Sequence, residues 1–585
     1  MATMHIFTVI ITSCILQNLL QVYGACTSSA NVSSYSELVD AVGCGTETIL
    51  LETDIAVTAT IEINNLSGMH IFGSGYMLTS NMVTPIFVVT ASTSIVFDTV
   101  GFTCSQSLPS GVGAITVYRS NVTLIDIISH NSQGPTVHAT NSVVQLDGGV
   151  FSDNTCASSG GVLHLSNSEA VVNNTQFSDN SAFTYGGALS SFDSIVWISN
   201  CSFRGNSAGD ETAAATSKLV GGGLFASGGS VHLTDVDLTG NKAYGGGGGT
   251  AFDEVIVVAM RVTWEDNVAY NGGGLAVLGG RHVLVNCTMT DNSAFLQSSQ
   301  GSGGAVYVYG VAALTVQGLF CQDNAASWGG CALLSGNISM ACADCVVSGN
   351  SALREGGGFH ITSDPVYLQA PVVLLTGALC NISDNSAGTG GGLWAMLLPL
   401  LIMEDCEVSH NIATSTGDGG GLYLEEMDDV RLVRTNLRDN YAGGEGGGAF
   451  LSRSSAGISD SVIDFNRAMT CGGICLSGPS IATIAGCSMA RNRADTGSAL
   501  VVRDGSSAEI TETIVEYNSA SDAGTILVQS VSRLGVNESE FRDNEGGTKG
   551  GCYTEYFVLS RVLLIDWCRR SRYLFAVKHM HLYCS

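Results

Sequence analysis

The residues with the clearest capacity for chemistry in this sequence are carboxylates. Asp153, Asp179, Asp266, Asp291, Asp323, Asp384, Asp439 and Asp543 each stand directly before an Asn. Stacked in a column, they would form an oxygen-rich edge suited to weak calcium binding, although Asp before Asn is also ordinary turn chemistry. Acid–base cleavage of a polysaccharide needs more, namely carboxylates that converge on one bond. The nearest approach is Glu425-Glu-Met-Asp-Asp429, followed by Arg431 and Arg434, with His360 and Asp364 as a second neighbourhood. No glycine run leads into Gly-Lys-Ser/Thr, so none is a phosphate cradle, and no serine elbow has a histidine partner. The sequence assigns no catalytic residue, no metal centre and no cofactor beyond that weak calcium edge. It points to a binding protein more than to an enzyme.

Cysteine is the second reactive type, with 19 in the chain. Cys201, Cys287, Cys345, Cys380, Cys406 and Cys487 each lie five residues before an Asn of the same series. If successive copies stack at an interstrand spacing of about 4.8 Å, neighbours such as Cys345, Cys380 and Cys406 fall within the Cα range of a disulfide. The other reading is a ladder of buried thiols. Cys26 and Cys44 form a further candidate pair near the start, and Cys342 with Cys345 makes one isolated C-x-x-C. Asn31, Asn65, Asn121, Asn173, Asn200, Asn286, Asn337, Asn381 and Asn537 begin N-x-Ser/Thr sequons, which are glycosylation acceptors in a eukaryotic secreted protein. Asn200, Asn286 and Asn381 stand next to cysteines of the series, which predicts a shared side-chain direction.

These residues are positioned by a repeat. The Asn series runs Asn131, Asn154, Asn180, Asn206, Asn241, Asn267, Asn292, Asn324, Asn350, Asn385, Asn411, Asn440, Asn466, Asn492, Asn518 and Asn544, most often at a spacing of 26 residues. A fixed period of this kind marks a solenoid. Between copies lie short apolar runs such as Val196-Trp-Ile-Ser199 and His282-Val-Leu-Val285, which are strand-like. Three short strands and three turns per repeat fit an all-β, right-handed parallel β-helix of about 26 residues per coil. Phe177, Phe203, Trp264, Met289, Val347, Ile382, Val408, Leu437 and Phe541, three residues before their Asn, should line the interior. Stacked Asn amides can bond to the coils above and below.

The paired motifs resemble a known repeat family. F-x-x-N stands here as Phe151-Ser-Asp-Asn154, Phe177-Ser-Asp-Asn180, Phe203-Arg-Gly-Asn206 and Phe541-Arg-Asp-Asn544. Its partner G-G-A-[I/L/V] stands as Gly186-Gly187-Ala-Leu189 and Gly303-Gly-Ala-Val306. The combination resembles the polymorphic outer membrane proteins of chlamydiae and their relatives over about residues 120–552. That resemblance implies a pectin-lyase-like β-helix used as a surface or adhesive passenger. The C-terminal membrane β-barrel of that family has no counterpart after Cys552.

Residues 1–24 read as a secretory signal, residues 25–46 as an N-terminal cap and residues 47–551 as the β-helix. The cap contains a helix from Tyr35 to Val42 with Ser33 or Ser34 as N-cap. The tail, 552–585, breaks the repeat and turns aromatic and basic, reading either as a C-terminal cap or as an altered reading frame. It offers no clear membrane span. A net charge of −28 argues against nucleic acid and against an anionic membrane surface. The expected protein is therefore secreted or at the cell surface, binding a protein or glycan, with a pectin-lyase-like polysaccharide lyase or hydrolase as the alternative. The insertions near Asp210-Glu-Thr-Ala213, Leu296-Gln-Ser-Ser299 and Ser363-Asp-Pro-Val366 are the expected binding loops. If the phenylalanine column is interior, Phe177→Asp puts a charge into a continuous apolar stack. Circular dichroism and thermal melting should then show strong destabilisation; a near-native melt would place Phe177 outside the core.

Overall fold

The structure, a computed structural model, describes residues 27–108, 112–210, 218–294, 300–363, 372–414 and 416–546, with the backbone of Phe575–Tyr583. The signal-like stretch, Cys26, Asp364 and most of the predicted loop segments and tail lie outside the described residues. The chain divides into two compact units, Met1–Ser202 and Phe203–Ser585. Both are all-β and built as parallel β-solenoids with about 26 residues per coil.

In the first unit, Ser29–Val32 pairs in parallel with Thr48–Leu51, which pairs with His70–Phe72, which pairs with Ile95–Asp98 in turn. Helix α1, Tyr35–Gly43, buries Leu38, Ala41 and Val42 against the first strands. Ser34 caps it by accepting from the Glu37 N–H, while the Glu37 carboxylate accepts from the N–H and hydroxyl of Ser33. This reciprocal pairing satisfies amides that the first helical turn leaves open.

The second unit shows the coil most cleanly. One coil contains Leu393–Met396, Leu400–Glu404 and Glu407–Ser409, followed by the two-residue strand Ile412–Ala413. Each pairs in parallel, without slip, with its counterpart one coil on: Leu422–Glu425, Val430–Val433, Asn436–Arg438 and Tyr441–Ala442. The fourth, short strand belongs to a separate small sheet that the sequence pattern did not predict. Three corners separate the main strands, and each holds a residue at positive φ. In successive coils these are Leu397, Asp405 and His410, then Glu426, Arg434 and Asp439, then Arg453, Asp460 and Phe465. The last strand, Phe575–Tyr583, runs antiparallel to Arg533–Arg542.

Gly186 shows why glycine opens the next strand. Its φ is +60°, and a Cβ there would run into the carbonyl oxygen of Leu189. The residues three before each Asn from Asn154 onward are interior as expected, with Phe177, Phe203 and Trp264 at 0 % exposure, whereas Ile128, three before Asn131, is exposed. The rings of Phe151 and Phe177 stack at 5.5 Å.

The asparagines are buried and form a continuous ladder within the second unit from Asn206 to Asn544. Asn411 is representative. Its Oδ1 accepts from both the backbone N–H and the Nδ2 of Asn385, at 3.1 and 3.0 Å. Its own Nδ2 donates to Asn440 Oδ1 at 3.0 Å and to the Ile382 carbonyl at 2.8 Å. Every hydrogen-bonding site of the amide is thus filled by the neighbouring coils. In the first unit, Asn154 and Asn180 repeat the pattern, but Asn131 does not. Register pairs His130 with Ser152, so Ser132 takes the ladder position and donates its N–H to Asn154 Oδ1 at 3.0 Å. Asn131 is one place early, at positive φ in the corner.

A second ladder, of hydroxyls and thiols, lies five residues before the asparagines. Thr435 N–H donates to Ser461 Oγ, Cys487 N–H to Thr513 Oγ1 and Thr513 N–H to Ser539 Oγ. Cys201, Cys287 and Cys487 occupy this same column as free thiols and donate weakly to the carbonyl two residues back, and Cys406 stands in it as one half of a disulfide. The thiols there are one member of a Ser/Thr/Cys class, each small enough to turn back onto its own strand.

Asn411→Ala would leave the Asn385 backbone N–H buried without its acceptor and remove the second acceptor of the Asn385 side-chain amide. Each such group costs about 1–3 kcal/mol, so a loss of about 3 kcal/mol or more is expected. Asp439→Gly, at an exposed positive-φ corner, should be nearly silent. Native-state hydrogen exchange should show the loss centred on the coils flanking residue 411; equal effects of the two changes would refute the ladder's role.

Candidate functional site: an acidic cleft over an aromatic column

Many of the residues singled out by sequence are placed at corners. The Asp residues that precede the ladder asparagines are exposed and at positive φ, Asp153 at 55° and Asp384 at 57° for example. That is turn geometry. Asp429 is paired with Arg431 at 2.6 Å and Arg434 with Asp405 at 2.7 Å, all on the exposed surface. Asp429, Arg431 and Arg434 of this acidic–basic neighbourhood therefore form solvated ion pairs that do not converge on a cleft, and only Glu425 at its start turns toward Tyr423 and its aromatic column.

The cysteines divide. Cys380 and Cys406 are joined across adjacent coils with Cα atoms 4.7 Å apart. Cys345, next in the same column, is instead joined to Cys342, making a disulfide of the isolated C-x-x-C. Cys321–Cys331 and Cys471–Cys475 are further disulfides. Cys44 is also disulfide-bonded, and its predicted partner Cys26 lies outside the described residues. Cys104, Cys156, Cys201, Cys287 and Cys487 are buried free thiols. Among the sequons, Asn31, Asn65, Asn121, Asn200 and Asn286 are exposed, whereas Asn173, Asn337, Asn381 and Asn537 are half-buried. Asn381 does not share the direction of Asn200 and Asn286. It follows its cysteine within a strand, opposite Glu407, while the other two precede theirs at positive φ.

The feature that sequence reading missed lies along the strand after each Gly-Gly pair. Register places His360, Trp394, Tyr423, Phe450 and Cys475 in one column, on successive coils. The rings stack almost in parallel, with centroids at 4.3 Å for His360–Trp394, 6.1 Å for Trp394–Tyr423 and 5.2 Å for Tyr423–Phe450. Because neighbouring rings cover one another's faces, what they can offer a ligand is their edges.

Carboxylates flank this column on both sides. The residues just before the glycines form one wall: Glu355 pairs in register with Thr389, and Glu445 with Thr470, with Asp418 between them. Asp418 Oδ1 accepts from the Glu445 N–H at 2.8 Å. Glu425, two residues beyond Tyr423, stands on the opposite wall and accepts from the tyrosine hydroxyl at 3.1 Å. Arg453 pairs with Glu425, and Arg503 reaches back 58 residues to Glu445 at 2.6 Å. Burial raises the carboxyl pKa of Glu355, Asp418 and Glu445, and the neighbouring Glu425 charge pushes Glu355 further the same way. His360 is buried and held neutral, its pKa lowered to about 3 by desolvation. Its Nδ1 has no hydrogen-bond partner and points at Glu355 Oε2 from 3.6 Å.

Chemically this is a half-buried row of hydrogen-bond acceptors with two guanidinium groups at its margin. Glu445, Cys471 and Cys475 are also close enough to share an ion, but the two sulfurs are joined to each other. The same column in the first unit carries stacked His138 and His164, each with its pKa lowered to about 4 by burial. Only composition hinted at the cleft in the sequence: an acidic residue before Gly-Gly at Glu355, Asp418 and Glu445.

No protein-family model matches the chain, and no curated protein matches it in sequence. The resemblance to the chlamydial repeat family therefore rests on the quoted motifs alone. Among solved structures, the chain is similar to PfbA, a surface adhesin of Streptococcus pneumoniae, at 8 % identity and a TM-score of 0.21, covering 96 % of this chain and 99 % of that one. With so loose a superposition, it is the strand registers that establish the parallel β-solenoid. No described helix is long and apolar enough to cross a membrane.

The raised carboxyl pKa values carry a stability consequence. A carboxyl that holds its proton more tightly in the fold than in the unfolded chain costs stability once it ionises. That cost is present above the folded pKa and vanishes below the ordinary value of 4.5. Glu355→Gln should therefore raise the melting temperature at neutral pH and leave it unchanged near about pH 4. A drop at neutral pH would mean that ionised Glu355 stabilises the fold.

Proposed function

We propose that this is an exported or surface-displayed recognition protein that binds a glycan along the acidic cleft. The observation that carries the reading is the row Glu355, Asp418, Glu425 and Glu445. Three of these carboxyls are raised by burial, so ionised they weaken the fold that holds them. Groups that oppose stability at a cleft are reasonably read as serving a ligand. Carboxylates accept from sugar hydroxyls, and the edges of the Trp394 and Tyr423 rings supply apolar contact beside them. Export is supported by the disulfides, which persist in oxidising compartments. The chlamydial repeat resemblance favours the same surface role.

Glu355 beside Glu425 supports a second reading, cleavage of the bound glycan. Two neighbouring carboxyls can act as acid and base, and burial makes Glu355 the one that holds its proton. The readings separate on one experiment. The purified chain is applied to an array of neutral and cationic glycans, and bound species are analysed for chain length. Recognition predicts retention of intact glycan, weakened about tenfold or more by Glu355→Gln with Glu425→Gln through lost charge-assisted hydrogen bonds. Shortened products that disappear in the same variant would establish an enzyme. Retention unaffected by the double change would remove the cleft from the account.

A further inference from the structure

A second surface of the second unit departs from the rules of the coil. At the corner directly before the ladder asparagine, the chain turns through positive φ in every coil. Most coils place a residue there that tolerates this, Gly205, Gly240, Asp266, Asp291, Asp323, Gly349, Asp384, Asp439 and Asp543, and one places His410, of a type also found in this region. Three consecutive coils do not. Phe465, Arg491 and Tyr517 hold φ of 58°, 54° and 54°. Bulky side chains are strained in this region, and such strain is found where function maintains it.

Core packing does not account for these three. Phe465 is 46 % exposed and Tyr517 49 % exposed, and the Arg491 side chain is 47 % exposed. Arginine at positive φ occurs at other corners of the second unit, but there an acidic corner residue of the preceding coil explains it. Arg261 pairs with Asp235, Arg434 with Asp405 and Arg453 with Glu426. Arg491 has no acidic corner beneath it. Its guanidinium lies instead between the two rings, 5.0 Å from the Phe465 centroid and 6.0 Å from that of Tyr517. An exposed cation–π contact recovers little against three strained residues.

The surroundings are cationic in a chain whose net charge is −28. Arg467 and Arg493, immediately after the ladder asparagines of the same two coils, are exposed and in register with each other. Neither forms an ion pair among the described residues. Of the nearby carboxylates, Asp464 is buried and bound by Arg438 at 2.8 Å, with Arg491 at 3.9 Å, Glu516 is paired with Arg542, and Asp495, exposed two residues beyond Arg493, accepts from the Ser521 hydroxyl at 2.7 Å. Asp439, one coil before Phe465, faces His410 at 3.8 Å.

We propose that Arg467, Arg491 and Arg493, with the rings of Phe465 and Tyr517, form a binding edge for an anionic glycan chain. Guanidinium groups suit sulfate esters and carboxylates through paired N–H donors. Exposed ring surface beside them suits the apolar face of a sugar. The arginines lie on adjacent coils, about 4.8 Å apart, a step comparable to one sugar unit. Nucleic acid phosphates also suit guanidinium groups, so single-stranded DNA is the competitor against which the edge is tested. This edge is separate from the acidic cleft and does not depend on what the cleft binds.

The test is surface plasmon resonance of the full chain over immobilised heparin, polygalacturonate, a neutral glucan, polyglutamate and single-stranded DNA at low and moderate salt. Retention on heparin alone assigns sulfate, and retention on polygalacturonate assigns carboxylate; either supports the edge if Arg467→Gln with Arg493→Gln weakens it about tenfold or more. Phe465→Asn and Tyr517→Asn restore a residue type that tolerates the corner. They should melt at or above the parent temperature while binding more weakly, a combination a purely structural role does not produce. Absence of binding to both anionic glycans, equal binding to polyglutamate or DNA, or a lowered melting temperature in the Asn variants with binding unchanged would overturn the proposal.

Discussion

The hydrogen bonds of the buried asparagines are the constraint on which the rest of the architecture depends. A turn that enters the interior must satisfy its amides there, and no water is at hand to do so. Each Asn amide oxygen does this for the coil before it, while its own backbone N–H and one side-chain N–H are satisfied by the coil after it and the other side-chain N–H by a carbonyl of the coil before. The arrangement works only if neighbouring coils keep register at that corner. Length differences are therefore absorbed elsewhere, which is why a 35-residue spacing still joins Asn206 to Asn241 and Asn350 to Asn385 with the same geometry.

With the corner fixed, other positions are free to vary in defined ways. The residue before the Asn must accept positive φ, the residue three before it must fill the interior, and the one five before it is also interior, a small residue that turns back in most coils and Val236, Val262 or Leu319 in three. Serine, threonine and cysteine turn back equally, so a cysteine there is a member of a ladder first and a disulfide partner second. Cys380 and Cys406 bond because two cysteines happen to follow one another in the column, whereas Cys487 sits between Ser461 and Thr513 and stays free.

The repeat made most of this legible from sequence. The period, the interior aromatic positions and the corner role of Asn all follow from residue spacing, because a solenoid writes its contacts at a fixed interval along the chain. What was hidden depends on contacts across coils that no single repeat displays. Ser132 stands in for an asparagine, so the motif search stopped one residue early at Asn131. The serine and threonine ladder is invisible when attention rests on cysteine. His360, Trp394, Tyr423 and Phe450 look unrelated in sequence, lying 27 to 34 residues apart, and become a column only through the register of their strands. Asp428 and Asp429 drew notice because they are adjacent in sequence, yet the carboxylates that share a cleft come from different coils.

The central claim is that the coil interior is self-satisfied and that the residues departing from its rules serve recognition. Hydrogen–deuterium exchange of the full chain, with and without a glycan retained on the array, addresses this most directly. The account predicts unchanged exchange along the asparagine ladder, with new protection confined to residues 355–362, 389–396, 418–425 and 445–453 for a cleft ligand. Protection spread evenly over the coils, or confined to corners that carry the ordinary Asp or Gly, would contradict it.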